Sequence, residues 1–122
     1  MLSRRKGDKV ERYVEKYLTQ QKLRLVERNF SSRYGEIDLI MEDGDTLVFI
    51  EVRFRANTNH GSGAETVDYR KQQKIIKTAQ FFLQQQKKYQ QLNCRFDVVS
   101  VTLGHKSLSA DWLKNAFQLS GW

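Results

Sequence analysis

The chain contains one cysteine, Cys94, so neither a disulfide framework nor a cysteine-based zinc site can organise it. Histidine is nearly as scarce: His60 and His105 are far apart and form no metal-binding motif. Proline is absent, and no internal repeat or composition break marks a linker, so residues 1–122 are expected to form one domain. No apolar run approaches the ~20 residues of a membrane span. The start, Met1-Leu2-Ser3-Arg4-Arg5-Lys6, lacks an apolar signal core. Together these absences predict a soluble, cytoplasmic protein. What is present is a core and a charge. Hydrophobic residues make up 39% and aromatics 11%, too many for a disordered chain. Lys and Arg number 21 against 14 Asp and Glu, and the net charge of +7 makes nucleic acid the leading partner class.

The pattern predicts the order α-β-β-β-α-β-(α), a mixed sheet with helices packed on it. Val10, Tyr13, Val14, Tyr17 and Leu18 place one apolar stripe on a helix over Arg4 to Lys22. Leu23 to Phe30 reads as a strand, and Asn29 to Arg33 as a turn. Glu36 to Met41 and Leu47 to Phe54 flank Glu42-Asp43-Gly44-Asp45, a strong hairpin signal. Ala56 to Glu65 reads as a mobile polar loop. Asp68 to Gln90 forms a long helix buried through Ile75, Ile76, Ala79, Phe82 and Leu83. Cys94 to Leu103 is a further strand, and Ala110 to Leu119 a short closing helix anchored by Trp112, Leu113 and Phe117.

Alternation along the hairpin puts Glu36, Asp38 and Ile40 on one face of its first strand. Leu47, Phe49, Glu51, Arg53 and Arg55 share one face of the second. A two-residue loop at Asp43-Gly44 or a four-residue loop over Glu42 to Asp45 sets Glu36 opposite Glu51 and Asp38 opposite Phe49. Asp38 and Glu51 are then diagonal neighbours, roughly 7 Å apart at Cα level. Like charges converging in a sheet are destabilising and need a reason. A divalent cation is one, because Mg²⁺ or Mn²⁺ takes one or two carboxylates plus water and phosphate oxygens. A solvated face with Arg53 and Arg55 paired to Glu36 and Glu51 is the other, and pattern alone does not choose.

Asn29-Phe30, Gly35-Glu36-Ile37-Asp38-Leu39-Ile40 and Val48-Phe49-Ile50-Glu51-Val52-Arg53-Phe54-Arg55 resemble the signature of the YraN family of small bacterial proteins. Gly7, Glu11 and Tyr17-Leu18 fit the same pattern. So do Val67, Lys71-Gln72, Ala79, Leu83 and Arg95-Phe96-Asp97-Val98-Val99, so the resemblance covers about residues 7 to 103. That family is similar to the restriction-endonuclease-like PD-(D/E)xK superfamily, especially archaeal Holliday-junction resolvases. The resemblance implies an αβββαβ core, a mixed central sheet flanked by helices, whose hairpin carries an Asp and a Glu-x-Lys. Asp38 then matches the metal-binding Asp and Glu51 the acidic residue of the second element. Glu11 matches a first-helix Glu of some members, and Lys71, or Gln72 beside it, a second-helix position that contacts the site. Arg53 falls where the superfamily has its Lys, and an arginine keeps its charge and cannot deprotonate.

These assignments imply a metal-dependent nuclease acting on DNA, branched or single-stranded. Asp38 and Glu51 would hold Mg²⁺ or Mn²⁺ with help from Glu11 or Glu36. Arg53 would contact the scissile phosphate, while Lys71, Gln72, Lys74 and Arg55 would contact nucleic acid. Lys77 and Lys88 would extend that basic stripe along the second helix. A non-catalytic nucleic-acid-binding module on the same fold is the alternative, favoured by Arg53, and an adaptor for protein contact is a third. Members of the superfamily suggest a homodimer, though the sequence has no coiled-coil signal for one.

Overall fold

A computed structural model describes residues 2–55 and 67–118, with the backbone alone for 2–6. Helix α1 (Leu2–Gln20) buries Val10, Val14 and Leu18 at the spacing of one helical stripe. They pack on Leu39, Met41, Val48, Ile50, Val99 and Val101, which form one face of a sheet. Removing each such side chain from water contributes roughly 1.5–3 kcal/mol. The five strands are β1 (Arg24–Ser32), β2 (Gly35–Asp43), β3 (Thr46–Arg55), β4 (Asn93–Leu103) and β5 (Leu108–Phe117), and they lie in chain order. All neighbours are antiparallel except β3 and β4, whose parallel pairing requires a crossover. Helix α2 (Tyr69–Gln85) is that crossover. It buries Ile75, Ile76, Ala79 and Phe82 on the opposite sheet face, against Phe30, Ile40, Leu47, Phe49, Phe96 and Val98. The result is the αβββαβ core expected from the sequence, with β5 added at one edge. No described helix is long and apolar enough to cross a membrane.

Four expectations are corrected. Residues 110–117 form strand β5, not a closing helix: Leu108, Ala110 and Trp112 alternate onto the α1 side. A buried carboxylate on β4, Asp97, accepts from Trp112 Nε1 at 2.9 Å and from the Asn115 amide at 2.8 Å. That tertiary anchor overrides a spacing that fits a helix equally well. The expected turn at Asn29 is absorbed into β1, with Asn29 in the left-handed region at φ 50°, and the chain reverses instead at Arg33-Tyr34. Helix α2 stops at Gln85, because Gln90 Nε2 caps the Leu83 carbonyl at 2.7 Å and Tyr89 stacks on Phe82. The residues after it form a short 3₁₀ turn, Lys87–Tyr89.

The fourth correction concerns the hairpin. Its two-residue loop is Gly44-Asp45, with Gly44 at φ 63° and Asp43 paired to Thr46. The register therefore differs from the expected one by a full residue pair, and strict alternation breaks at the start of β2, where Ile37 packs with Ile40 on the α2 side and not with Leu39 and Met41 on the α1 side. Continuing it one pair past Leu39–Ile50 sets Asp38 directly opposite Glu51. The polar stretch over 56–65 lies outside the described residues.

Candidate functional site

The β2–β3 ladder ends at Leu39–Ile50, and the two strands part at the carboxylates. The Val52 amide donates to Asp38 Oδ2 at 2.8 Å, so a side chain takes the place of the next backbone acceptor. Glu51 is 6% exposed and lies beside Asp38, the two carboxyl groups sharing a hydrogen bond. Burial pushes the Asp38 carboxyl up to about 8, with the charges of Glu51 and Glu11 adding to the rise and the Val52 amide opposing it. Asp38 therefore resists ionisation at neutral pH.

Cations approach Glu51 from two elements. Lys71 Nζ, on the first turns of α2, lies 2.8 Å from Glu51 Oε1, and Arg53 Nε lies 3.8 Å from the same oxygen. The helix places Lys71 through its N-cap, where Asp68 accepts from the Lys71 amide at 2.8 Å. Glu11 reaches from α1, on the other side of the sheet, to Asn29 of β1, near enough for its charge to act on Asp38 and Glu36. Desolvation raises its carboxyl, aided by Glu36 and Asp8 and opposed by a hydrogen bond with Asn29 and by Arg12. Its Oε1 is buried and has no hydrogen-bond partner among the described residues. Such an atom costs free energy unless something else satisfies it.

An open cleft of about 430 Å³ lies over the pair, lined by Gly35, Glu36, Asp38, Glu51, Asp68, Arg70, Lys71, Lys74 and Ile75. Gly35 adopts φ 154° there, closing the β1–β2 turn against α2, where an added Cβ would sit 3.5 Å from Lys74 Cβ. Of the residues singled out in the sequence, Asp38, Glu51, Lys71, Lys74 and Glu36 border this cleft. Glu36 sits on the exposed rim, paired with Ser31 of β1, whose hydroxyl donates to it at 3.2 Å, and not opposite Glu51 as expected. Gln72 turns away to donate to the Val67 carbonyl at 2.9 Å, so Lys71 is the residue of that pair that reaches the site. Arg53 and Arg55 lie further along β3, half-buried, outside the cleft lining. Phe49, which shares their face, packs under α2 between Phe82 and Phe96.

Among the described residues no three His, Cys, Asp or Glu side chains form a metal cage by themselves. The donor set nevertheless fits one hard divalent ion. Mg²⁺ and Mn²⁺ prefer carboxylate oxygens, use few of them, and complete their shell with water and phosphate. Asp38 and Glu51 are such donors, whereas Glu11 does not converge with them into a three-carboxylate group.

Three residues escaped the sequence reading. Asn29 holds Glu11 from a left-handed backbone position in β1. The sequence placed it in the family motif and in a turn, and only an Asn's tolerance of positive φ hinted at its backbone position. Tyr34 and Tyr69 border cavities beside the cleft, and nothing in their spacing distinguished them from core aromatics.

The model of the uncharacterised protein family UPF0102 matches residues 10–101. Named relatives cover nearly the whole chain. A UPF0102 protein of Stutzerimonas stutzeri is 47% identical over 95% of this chain and 97% of its own length. One of Chromohalobacter salexigens is 49% identical over 94% and 92%, and one of Nitrosospira multiformis 42% identical over 98% of each. The chain belongs to family UPF0102, the YraN family that its motifs resemble.

Proposed function

We propose that the protein is a metal-dependent nuclease that hydrolyses DNA phosphodiester bonds. The observation that carries this reading is the pair of adjacent carboxyl groups, Asp38 and Glu51, desolvated at the parting of β2 and β3 beneath a cleft rimmed with cations. Burying two carboxyl groups side by side is costly in a structural role, and such perturbed pairs cluster at functional sites.

Asp38 and Glu51 would hold one Mg²⁺ or Mn²⁺ ion, with Glu11 and Glu36 nearby as outer acceptors for its water. When bound, the ion supplies a Lewis acid that polarises the phosphate and acidifies a water molecule. Asp38 gives up its proton to solvent through the open cleft. Lys71, on a flexible stem, is placed to exchange Glu51 for a phosphate oxygen as a point charge. Arg53 adds a permanent charge behind the same carboxylate, and stabilises negative charge that builds on the phosphate. A guanidinium cannot take the proton of the attacking water, so Arg53 has no role as a base.

The test is a titration of Mg²⁺ and Mn²⁺ against duplex, single-stranded, flap and four-way-junction DNA, with Asp38→Ala and Glu51→Ala as controls. Cleavage of at least one substrate should require the metal and fall by 100-fold or more in both variants. Cleavage that persists in both would sink the assignment. Lys71 already neutralises Glu51 at 2.8 Å, and this favours a second reading, a nucleic-acid-binding module without hydrolysis. DNA binding with no cleavage under either metal would establish it.

A further inference from the structure

The carboxylate cleft is one end of a longer groove. Arg70 and Lys74 on its rim also line a second cavity, of about 490 Å³, with Tyr34, Tyr69, Gln73 and Lys77. Tyr34 and Lys77 in turn border a third, of about 320 Å³, which extends to Gln84. Beyond the cleft, no carboxylate is among the described lining residues. Arg70, Lys74 and Lys77 recur at i, i+4 and i+7 and so form one stripe along α2. Their steps of roughly 6 and 4.5 Å along the helix axis are on the scale of successive phosphates in an extended strand.

The aromatic residues are what make this groove selective. Tyr69 is 74% exposed on the first turn of α2, a large ring that contributes little to the core. Tyr34 sits on the two-residue turn between β1 and β2, and the turn is braced. The Tyr34 amide donates to Ser32 Oγ at 3.0 Å, and that hydroxyl lies 3.1 Å from Thr78 Oγ1 on α2. The Arg33 guanidinium lies 5.0 Å from the Tyr34 ring centroid and donates to its phenol oxygen at 2.9 Å. A surface for duplex DNA needs cations alone, because paired bases hide their faces in the stack. Rings set among cations suit an unpaired strand, which offers phosphates and base faces together.

We infer that this groove binds a single unpaired nucleic-acid strand, its bases stacked on Tyr34 and Tyr69 and its phosphates on Arg70, Lys74 and Lys77. The inference rests on the nuclease reading only for the strand's destination, the Asp38–Glu51 pair. Binding itself needs no metal, and the test exploits this. Fluorescence anisotropy in EDTA compares labelled dT20, rU20 and a 20-base-pair duplex against the parent protein and its variants.

The parent should bind dT20 at least tenfold more tightly than the duplex. Tyr69→Ala and Tyr34→Ala should each weaken dT20 binding about tenfold, within the range expected for the loss of one stacked base. Tyr69→Phe should bind as the parent does, since the ring and not the hydroxyl is required. Thermal melts confirm that each variant is folded, and exposed Tyr69 serves if Tyr34→Ala is not. Equal affinity for duplex and dT20, or parent-like binding by Tyr69→Ala, overturns the inference. Binding of rU20 in preference to dT20 supports the groove and counts against DNA as the substrate. Tyrosine-dependent binding without cleavage under any metal defeats the nuclease reading alone. Metal-dependent cleavage with tyrosine-insensitive binding defeats the groove alone.

Discussion

In the metal-free protein Asp38 holds its proton across a pH range in which the unfolded chain has already lost it. Its carboxyl titrates at about 8 when folded against an ordinary 3.8, because burial and the neighbouring Glu51 disfavour its charge. Between those values unfolding releases a proton, so Asp38 makes the protein less stable as the pH rises, by at most about 1.4 kcal/mol per pH unit. Above the folded value both states are ionised and the decline ends. Asparagine at this position stays neutral at every pH and can still donate to Glu51. Urea unfolding in EDTA should therefore show the parent losing more stability than Asp38→Asn between pH 5 and pH 8.5, and parallel curves would contradict the buried-proton account. Strand alternation made the convergence of Asp38 and Glu51 legible in the sequence. The shared proton was not legible, because it depends on how deeply the hairpin end is buried. Asn29 was hidden for a related reason: its hold on Glu11 exists only once α1 has docked across the sheet.

β5 is held to the sheet by an anchor that no local pattern announces. Asp97 is fully buried and accepts from Arg95 Nε at 3.0 Å, Trp112 Nε1 at 2.9 Å and the Asn115 amide at 2.8 Å. Arg95 also reaches Asp43 at 2.8 Å, tying the β2–β3 turn into the same network. Asp97→Ala strands an indole, a backbone amide and a half-buried guanidinium, and should cost about 3–5 kcal/mol. Asp97→Asn keeps one acceptor oxygen and should cost less. Chemical denaturation of both variants checks the order, and an alanine variant within 1 kcal/mol of the parent would contradict the anchor. At this scale the sequence disclosed α1, α2 and β1 to β4 through periodicity and turn chemistry. Residues 110–117 were misread because Trp112, Leu113 and Phe117 fit a helix as well as a strand, and only Asp97 decides between them. The hairpin loop was displaced because Asp43-Gly44 and Gly44-Asp45 are equally plausible two-residue turns by composition.

Across the whole molecule the net charge of +7 is unevenly spread, with carboxylates gathered at the end of the β2–β3 hairpin and cations along the exposed stripe of α2. Under the proposed function, binding to a DNA strand releases counterions from about three phosphates, with a log–log salt slope near −2. Raising NaCl from 50 to 200 mM should thus weaken metal-free binding by roughly 10- to 20-fold, and Lys77→Ala should flatten the slope by about 0.7. Salt-independent affinity would contradict a phosphate-tracking role for α2. The topology has a separate consequence, for the order of assembly. Antiparallel neighbours in this sheet meet through short connections, whereas β3 and β4 join Thr46 to Asn93 across the whole length of α2. That one closure carries the largest loop entropy in the fold and is the natural slow step. The same crossover carries Lys71, so the connection that joins β3 to β4 also supplies the cation beside Glu51.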